Sequence, residues 1–184
     1  MENIIEIKDY CKKIKGSEVL KDINLTLRGG NVYGLKGKNG SGKTMLMRAV
    51  CGLISPTSGS IVINGETLGK QISFPRSVGA LIENPAFIPG YTGLKNLEVL
   101  ADIQKKIGRS EICETLCKVG LDCNDKRTYR KYSLGMKQRL GIAAAVMESP
   151  DIVILDEPIN ALDESGAMQV REILKEQKER GAIC

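Results

Sequence analysis

The 184-residue chain predicts an α/β fold with substantial parallel pairing, and three observations carry that prediction. Stretches that alternate apolar and polar residues are interleaved with stretches whose apolar residues recur at helical spacing. A glycine-rich segment, Gly37 to Thr44, sits between a short apolar run and a helix-forming one. Near the end, Ile152-Val153-Ile154-Leu155 is wholly apolar and rich in β-branched residues, the pattern of a central parallel strand covered on both faces.

Each element follows in order. Ile4 to Ile7 and Ile23 to Leu27 alternate as half-buried strands do. Arg28-Gly29-Gly30-Asn31 is a turn, and Val32 to Leu35 is a short strand running into the glycine-rich loop. Thr44 to Cys51 is a helix that stops at Gly52. Ser60 to Ile63 is a strand closed by the Asn64-Gly65 turn signal. From about Asn84 to Arg130 the chain is loop-rich and then helical, with helical spacing over Leu94 to Ile107 and Ser110 to Val119. Ser133 is placed to N-cap a helix reaching Met147, with Met136, Leu140, Ala143 and Met147 on one face, and Pro150 breaks it. The last helix runs from about Glu164 to Arg180, with Glu176 and Arg180 at a supporting i,i+4 spacing and Gly181 as its stop.

Composition removes whole classes of function. With 42% hydrophobic and 27% charged residues the chain is globular, not disordered. The longest apolar run, Ile142 to Met147, is far short of a membrane span, and the opening MENIIEIKDY is not a secretory signal. There is no His, which excludes a Ser-His-Asp triad, a Cys-His pair and any His-bearing zinc site. The six Cys include no CxxC pair. Cys113 and Cys117 fall in a helical stripe with Ile112 and Leu116, so the expectation is free thiols acting as small hydrophobes in a reducing cytosolic compartment; an all-Cys metal site or a disulfide framework is the alternative. A net charge of +5 fits an anionic ligand and a solvated surface equally.

The segment Gly37-Lys38-Asn39-Gly40-Ser41-Gly42-Lys43-Thr44 matches the phosphate-loop pattern G-x-x-x-x-G-K-[ST], in a strand–loop–helix context. Glycines let successive backbone N–H groups turn toward phosphate oxygens, and the following helix adds its free amides and positive dipole end. Lys43 supplies a point charge to the β- and γ-phosphates, and the Thr44 hydroxyl can ligate Mg²⁺. The run IVILDEP supplies the complement. Asp156 lies at the C-terminal end of a strand, where open α/β sheets bind ligands, and can hold the Mg²⁺ shell; Glu157 can orient or deprotonate an attacking water.

Together these segments resemble the nucleotide-binding domain of an ABC ATPase. Tyr132 to Arg139 (YSLGMKQR) resembles the family signature, with Ser133 and Gly135 at its serine and second-glycine positions. Asn160-Ala161-Leu162-Asp163 resembles the D-loop, and Val78 to Asn84 (VGALIEN) resembles the segment carrying the Q-loop. The similarity runs from residue 4 to the end. It implies a P-loop NTPase fold of the ABC type: one domain over 1–184, a mixed-sheet core at about 1–83 and 132–184 with an N-terminal antiparallel region, and a helical subdomain at about 84–131. It also implies two ATP molecules sandwiched head to tail between two such domains, an identical copy being the simplest partner. One partner's P-loop then holds each ATP while the other's Ser133 and Gly135 close over its γ-phosphate, Glu157 serves the water, and Asp163 communicates across the interface.

Four departures from the family pattern bear on function. The signature reads Ser-Leu-Gly-Met where Ser-Gly-Gly-Gln is commonest, a form that resembles bacterial drug, peptide or bacteriocin export and self-immunity ATPases. Glu83 stands at the Q-loop glutamine position, either binding the Mg²⁺–water shell by charge or facing solvent. Ile14 stands where the family stacks an aromatic on adenine; Tyr10 is a substitute unless it belongs to the first strand. The family's switch histidine is expected after the strand that follows Gly181, and the expectation is that the reading frame continues past Cys184 to such a His; a chain ending at Cys184 is expected to bind nucleotide but hydrolyse it poorly.

The resemblance therefore implies an ATP-hydrolysing subunit of an ABC exporter, using ATP and Mg²⁺, at the cytoplasmic face of the membrane beside a separate transmembrane permease subunit. The permease is expected to dock near residues 83–96, with Phe87 and Tyr91 either contacting it or packing locally. No nucleic-acid partner is expected, because the basic cluster Lys126, Arg127, Arg130 and Lys131 reads best as a solvated face. The alternatives are a soluble ABC ATPase of translation or DNA maintenance, and a nucleotide-binding module with weak hydrolysis.

Overall fold

A computed structural model describes residues 3–184. The chain opens with a long antiparallel hairpin, β1 (Ile4–Ile14) and β2 (Ser17–Arg28). Strand β3 (Ser58–Ile63) pairs with the other edge of β1, and the short β4 (Glu66–Thr67) closes the sheet in the order β2-β1-β3-β4. The expected Asn64-Gly65 turn joins β3 to β4 with φ of 51° and 84°, both left-handed as such hairpins require. Ile5, Ile7, Ile61 and Ile63 face one side and are buried, the period-2 pattern that reveals a strand with one wet face.

Helix α1 (Lys43–Val50) packs Leu46, Ala49 and Val50 under this sheet. Strands β5 (Val78–Leu81) and β6 (Ile152–Leu155) form a second, parallel pair in register, Val78 opposite Ile152 and Leu81 opposite Leu155. Between them run α2 (Gly93–Gln104), α3 (Arg109–Lys118), a 3₁₀ turn at Tyr129–Lys131 and α4 (Leu134–Val146); α5 (Glu164–Glu179) follows β6. Consecutive residues of β6 serve two cores. Ile152 joins the cluster beneath the antiparallel sheet, and Val153 joins the cluster built by α2, α3, α4 and α5.

The mixture of antiparallel and parallel pairing expected of this fold is present, and four other expectations need correction. Among the described residues parallel pairing comprises β5–β6 and isolated bridges of Ile183 to Asn31 and Ile152 and of Leu68 to Ile72, whereas the four-stranded sheet is antiparallel throughout. Val32 to Leu35 is not a strand, because among the described residues only Asn31 and Tyr33 of this stretch find a backbone partner, in Ile183 and Cys184. Beyond that contact it faces β6 across an apolar slot of about 410 Å³ lined by Leu25, Leu27, Leu46, Ile154 and Leu174. Helix α4 is buried around most of its circumference, with Ile142, Ala145 and Val146 inside as well as Leu140 and Ala143. Strand β5 lies against it so closely that a Cβ on Gly79 would stand 1.6 Å from the Ala145 carbonyl oxygen, so only glycine fits there.

On α5, Glu176 pairs with Lys118 of α3 at 2.6 Å, and Arg180 instead donates to the Pro150 carbonyl and to Gln177. Tertiary neighbours outbid the local i,i+4 spacing. The thiols also divide differently. Cys113 is joined to Cys123, which the turn after α3 brings back to within 5.1 Å, Cα to Cα. Cys117 is exposed and lies off the buried stripe of Ile112 and Leu116. Cys51 does behave as a core filler, and burial pushes its thiol up to about 11.

Candidate functional site

The phosphate-loop segment follows residue 36 and is exposed through Ser41. Gly42 closes it at φ 91°, with a Cβ there destined to meet the Val19 carbonyl oxygen at 2.7 Å. Both facts demand glycine. Helix α1 therefore starts without any side-chain cap at Gly42, and its first amides receive no capping side chain. The Lys43 ammonium folds back to donate to the carbonyls of Gly37 at 2.8 Å and Lys38 at 3.1 Å, the position of a cation waiting at the loop's mouth.

The strand-end carboxylate meets this helix. Thr44 Oγ1 donates to Asp156 Oδ2 at 2.7 Å, across 112 residues of sequence, and Asp156 is buried. Its own N–H donates to the Leu81 carbonyl at 2.7 Å, so the end of β5 fixes the end of β6. A hydroxyl and a carboxylate are hard oxygen donors. Among the described residues no three His, Cys, Asp or Glu gather as a metal cage. The donor set therefore suits Mg²⁺, which takes one or two protein oxygens and completes its shell with phosphate and water.

Two further acids lie just past the ends of β5 and β6. Glu157 follows it directly, is exposed, and sits at φ 47°. Its carboxylate accepts from Asn160 Nδ2, and its carbonyl and that of Pro158 accept from the buried Gln138 side chain at 3.5 and 3.2 Å. Glu83, two residues past the end of β5, sits at φ 62° and pairs with Arg48 of α1 at 2.7 Å. A non-glycine residue held left-handed is uncommon and is found where neighbouring contacts over-determine it.

The remaining sequence-derived residues gather in a second group. Ser133 N-caps α4 as expected, its Oγ accepting from Met136 N at 3.2 Å. Gly135 faces the loop after β6, where a Cβ would stand 3.0 Å from the Ala161 carbonyl oxygen. Asp163 N-caps α5, accepting from Gly166 N at 2.9 Å; that bond and one from the Ser165 side chain hold its carboxyl below the usual range. Among the described residues no hydrogen bond links Ser133, Gly135 or Asp163 to residues 37–44. Tyr10 is a fully buried strand residue, with its hydroxyl donating to the Ile54 carbonyl, while Ile14 is exposed at the end of β1.

Sequence reading missed Gln138, Arg139, Arg48 and Asn96. Arg139 donates to the Val119 carbonyl and to Gln169, and reaches Asp163 at 3.4 Å, so it ties α3, α4 and α5 together. The only signal it left is a cation set directly before the apolar run that begins at Leu140. Asn96 is 3% exposed and pins its own loop, accepting from Ile88 N and donating to the carbonyls of Ile88 and Thr92. Phe87 packs edge-on against Tyr129, with ring centroids 5.3 Å apart, whereas Tyr91 is exposed.

A phosphate loop, an open helix start and a hydroxyl–carboxylate pair at strand end define a P-loop nucleotide-binding ATPase. Comparison with known proteins narrows the class. The ABC transporter family profile matches residues 20–160. The ABC transporter ATP-binding protein YybJ of Bacillus subtilis is 51% identical over 179 residues, covering 97% of this chain and 82% of YybJ. The lantibiotic transport ATP-binding protein SrtF of Streptococcus pyogenes is 38% identical, covering 97% of this chain and 76% of its own length. The bacitracin transport ATP-binding protein BcrA of Enterococcus faecalis is 41% identical over 95% of this chain, which spans 57% of BcrA. A solved ATP-binding subunit of an ABC transporter superposes with a TM-score of 0.86 at 28% identity, covering 98% of this chain and 77% of that one. The chain belongs to the ABC transporter family, as an ATP-binding subunit of its ATPase class.

Proposed function

We propose that this chain hydrolyses ATP to power an ABC exporter, working as one of two nucleotide-binding domains that sandwich two ATP molecules head to tail. The observation that carries this reading is the 2.7 Å contact of Thr44 with Asp156, which brings the phosphate loop and a buried strand-end carboxylate to one place. There Mg²⁺ supplies charge neutralisation for the β- and γ-phosphates. Thr44 and Asp156 hold it, with the Glu83 carboxylate reaching its shell. Residues 37–44 cradle the phosphates, and Lys43 turns from the loop carbonyls to the anion. Glu157 takes the proton of the attacking water. Ser133 and Gly135 act on the nucleotide of the partner copy, in keeping with the lack, among the described residues, of any hydrogen bond from them to residues 37–44 of their own chain, and Asp163 relays between copies. Ile14 borders the base.

Among the described residues no helix is long and apolar enough to cross a membrane. The proposed complex therefore includes a separate transmembrane permease, with this subunit peripheral on the cytoplasmic face and residues 84–131 forming the docking subdomain. Export is favoured by the Ser-Leu-Gly-Met signature and by relatives named for bacitracin and lantibiotic transport. In the basic cluster Arg127 is paired with Asp125 at 2.8 Å. The test is Glu157→Gln in the transporter complex. ATP binding should persist while hydrolysis falls by about 10²- to 10⁴-fold; undiminished hydrolysis removes Glu157 from the mechanism.

A further inference from the structure

Thr44 and Arg48 lie one turn apart on α1, and each contacts a carboxylate at the end of a different strand. Thr44 bonds Asp156, just past β6, and Arg48 bonds Glu83, just past β5. One helical turn advances about 5.4 Å, and neighbouring strands stand about 4.8 Å apart. The spacings match, so α1 crosses the two strand ends on two polar rungs. The second rung differs from the first in charge and wetness. Asp156 is buried, whereas the Arg48 and Glu83 side chains are 35% and 59% exposed.

We propose that Arg48 is a positioning residue that competes with the metal site for Glu83. It holds the Glu83 carboxylate while the site is empty of nucleotide and releases it when Mg²⁺ arrives with ATP. The proposal rests on the assignment of Thr44 and Asp156 as Mg²⁺ ligands. A dication beside Asp156 attracts the Glu83 carboxylate, which lies past the end of the neighbouring paired strand, and repels the Arg48 guanidinium, so both charges drive the same exchange. An ion pair this exposed is weak enough to yield, where a buried one would not be. A glutamine at position 83 would feel neither pull as strongly, which gives the glutamate of this chain a physical role.

The experiment is a Mg²⁺ titration of a fluorescent, non-hydrolysable ATP analogue on the full chain at low salt. Arg48→Met should lower the Mg²⁺ concentration needed for half-maximal binding by about two- to fivefold, the range an exposed ion pair allows. The gain should vanish in the Arg48→Met/Glu83→Gln double variant. Arg48→Lys, which keeps the charge, should stay near wild type and guards against a folding defect in the methionine variant. Equal Mg²⁺ requirement in wild type and Arg48→Met overturns the proposal, as does a gain that survives Glu83→Gln. Asp156→Asn separates the two ideas: if it leaves the Mg²⁺ requirement unchanged, the metal site itself is misassigned. If it raises the requirement while Arg48→Met does nothing, only the competition fails.

Discussion

Helices α1 and α5 finish their first turns in opposite ways. At α5 the Asp163 carboxylate accepts from Gly166 N, and Glu164 adds a second acid to the turn. The dipole end is closed by the chain's own charge. At α1 the cap position is Gly42, which has no side chain to offer, and the first turn holds no acid. Thr92 and Ser133 close α2 and α4 as Asp163 closes α5. A helix meant to scaffold is satisfied from within, while one meant to receive an anion is left open. Ser133 caps α4 with its oxygen, which accepts from Met136 N, and its hydroxyl keeps a proton free to donate, as its proposed role toward nucleotide requires.

Breaking the open end should have the largest effect. Lys43→Ala removes a charge-assisted contact to phosphate and should weaken equilibrium binding of an ATP analogue by about 10- to 150-fold. Wild-type affinity in that variant would mean that the amides alone carry the ligand. Gly42→Ala forces a Cβ into the left-handed region and toward the Val19 carbonyl, so urea unfolding should show a loss of about 1–3 kcal/mol. No measurable loss would show that the loop relaxes at no cost.

The closed end sharpens the contrast more gently. Asp163→Ala should speed hydrogen exchange at the Gly166 amide and lower the melting temperature slightly; unaltered exchange would deny the cap its role. The smallest effect is on pH. The folded-state pKa of Asp163 is depressed, so its contribution is present above the ordinary carboxylate range and is lost as pH falls through the lowered value. Asp163→Asn should therefore flatten the acid limb of melting temperature against pH, and an unchanged limb would trace acid lability to other carboxylates.

How much of this could be read in advance depends on the range over which each interaction acts. The phosphate loop was legible because eight contiguous residues carry it, and the Ser133 cap because a cap acts within three residues. The Thr44–Asp156 contact was legible only as two motifs, since the fold alone brings them together. Arg48–Glu83 was not legible, because it depends jointly on the phase of α1 and the register of β5 against β6. The same reason hid Arg139, whose partners come from three elements, and misled the reading of Glu176, which turns to Lys118. Cys113 and Cys123 escaped because helical periodicity says nothing about where the following turn brings the chain.

The pinned loop before α2 has a mechanical consequence. Asn96 ties the backbone of residues 88–92 to the first turn of α2; the Tyr132 hydroxyl accepts from Gly93 N at 3.3 Å, and Tyr129 donates to the Pro85 carbonyl at 2.5 Å. A loop braced at that many points has little compliance. A force applied at exposed Tyr91 would not be absorbed as bending; it would displace the loop and α2 together, as a rigid crank turns its shaft.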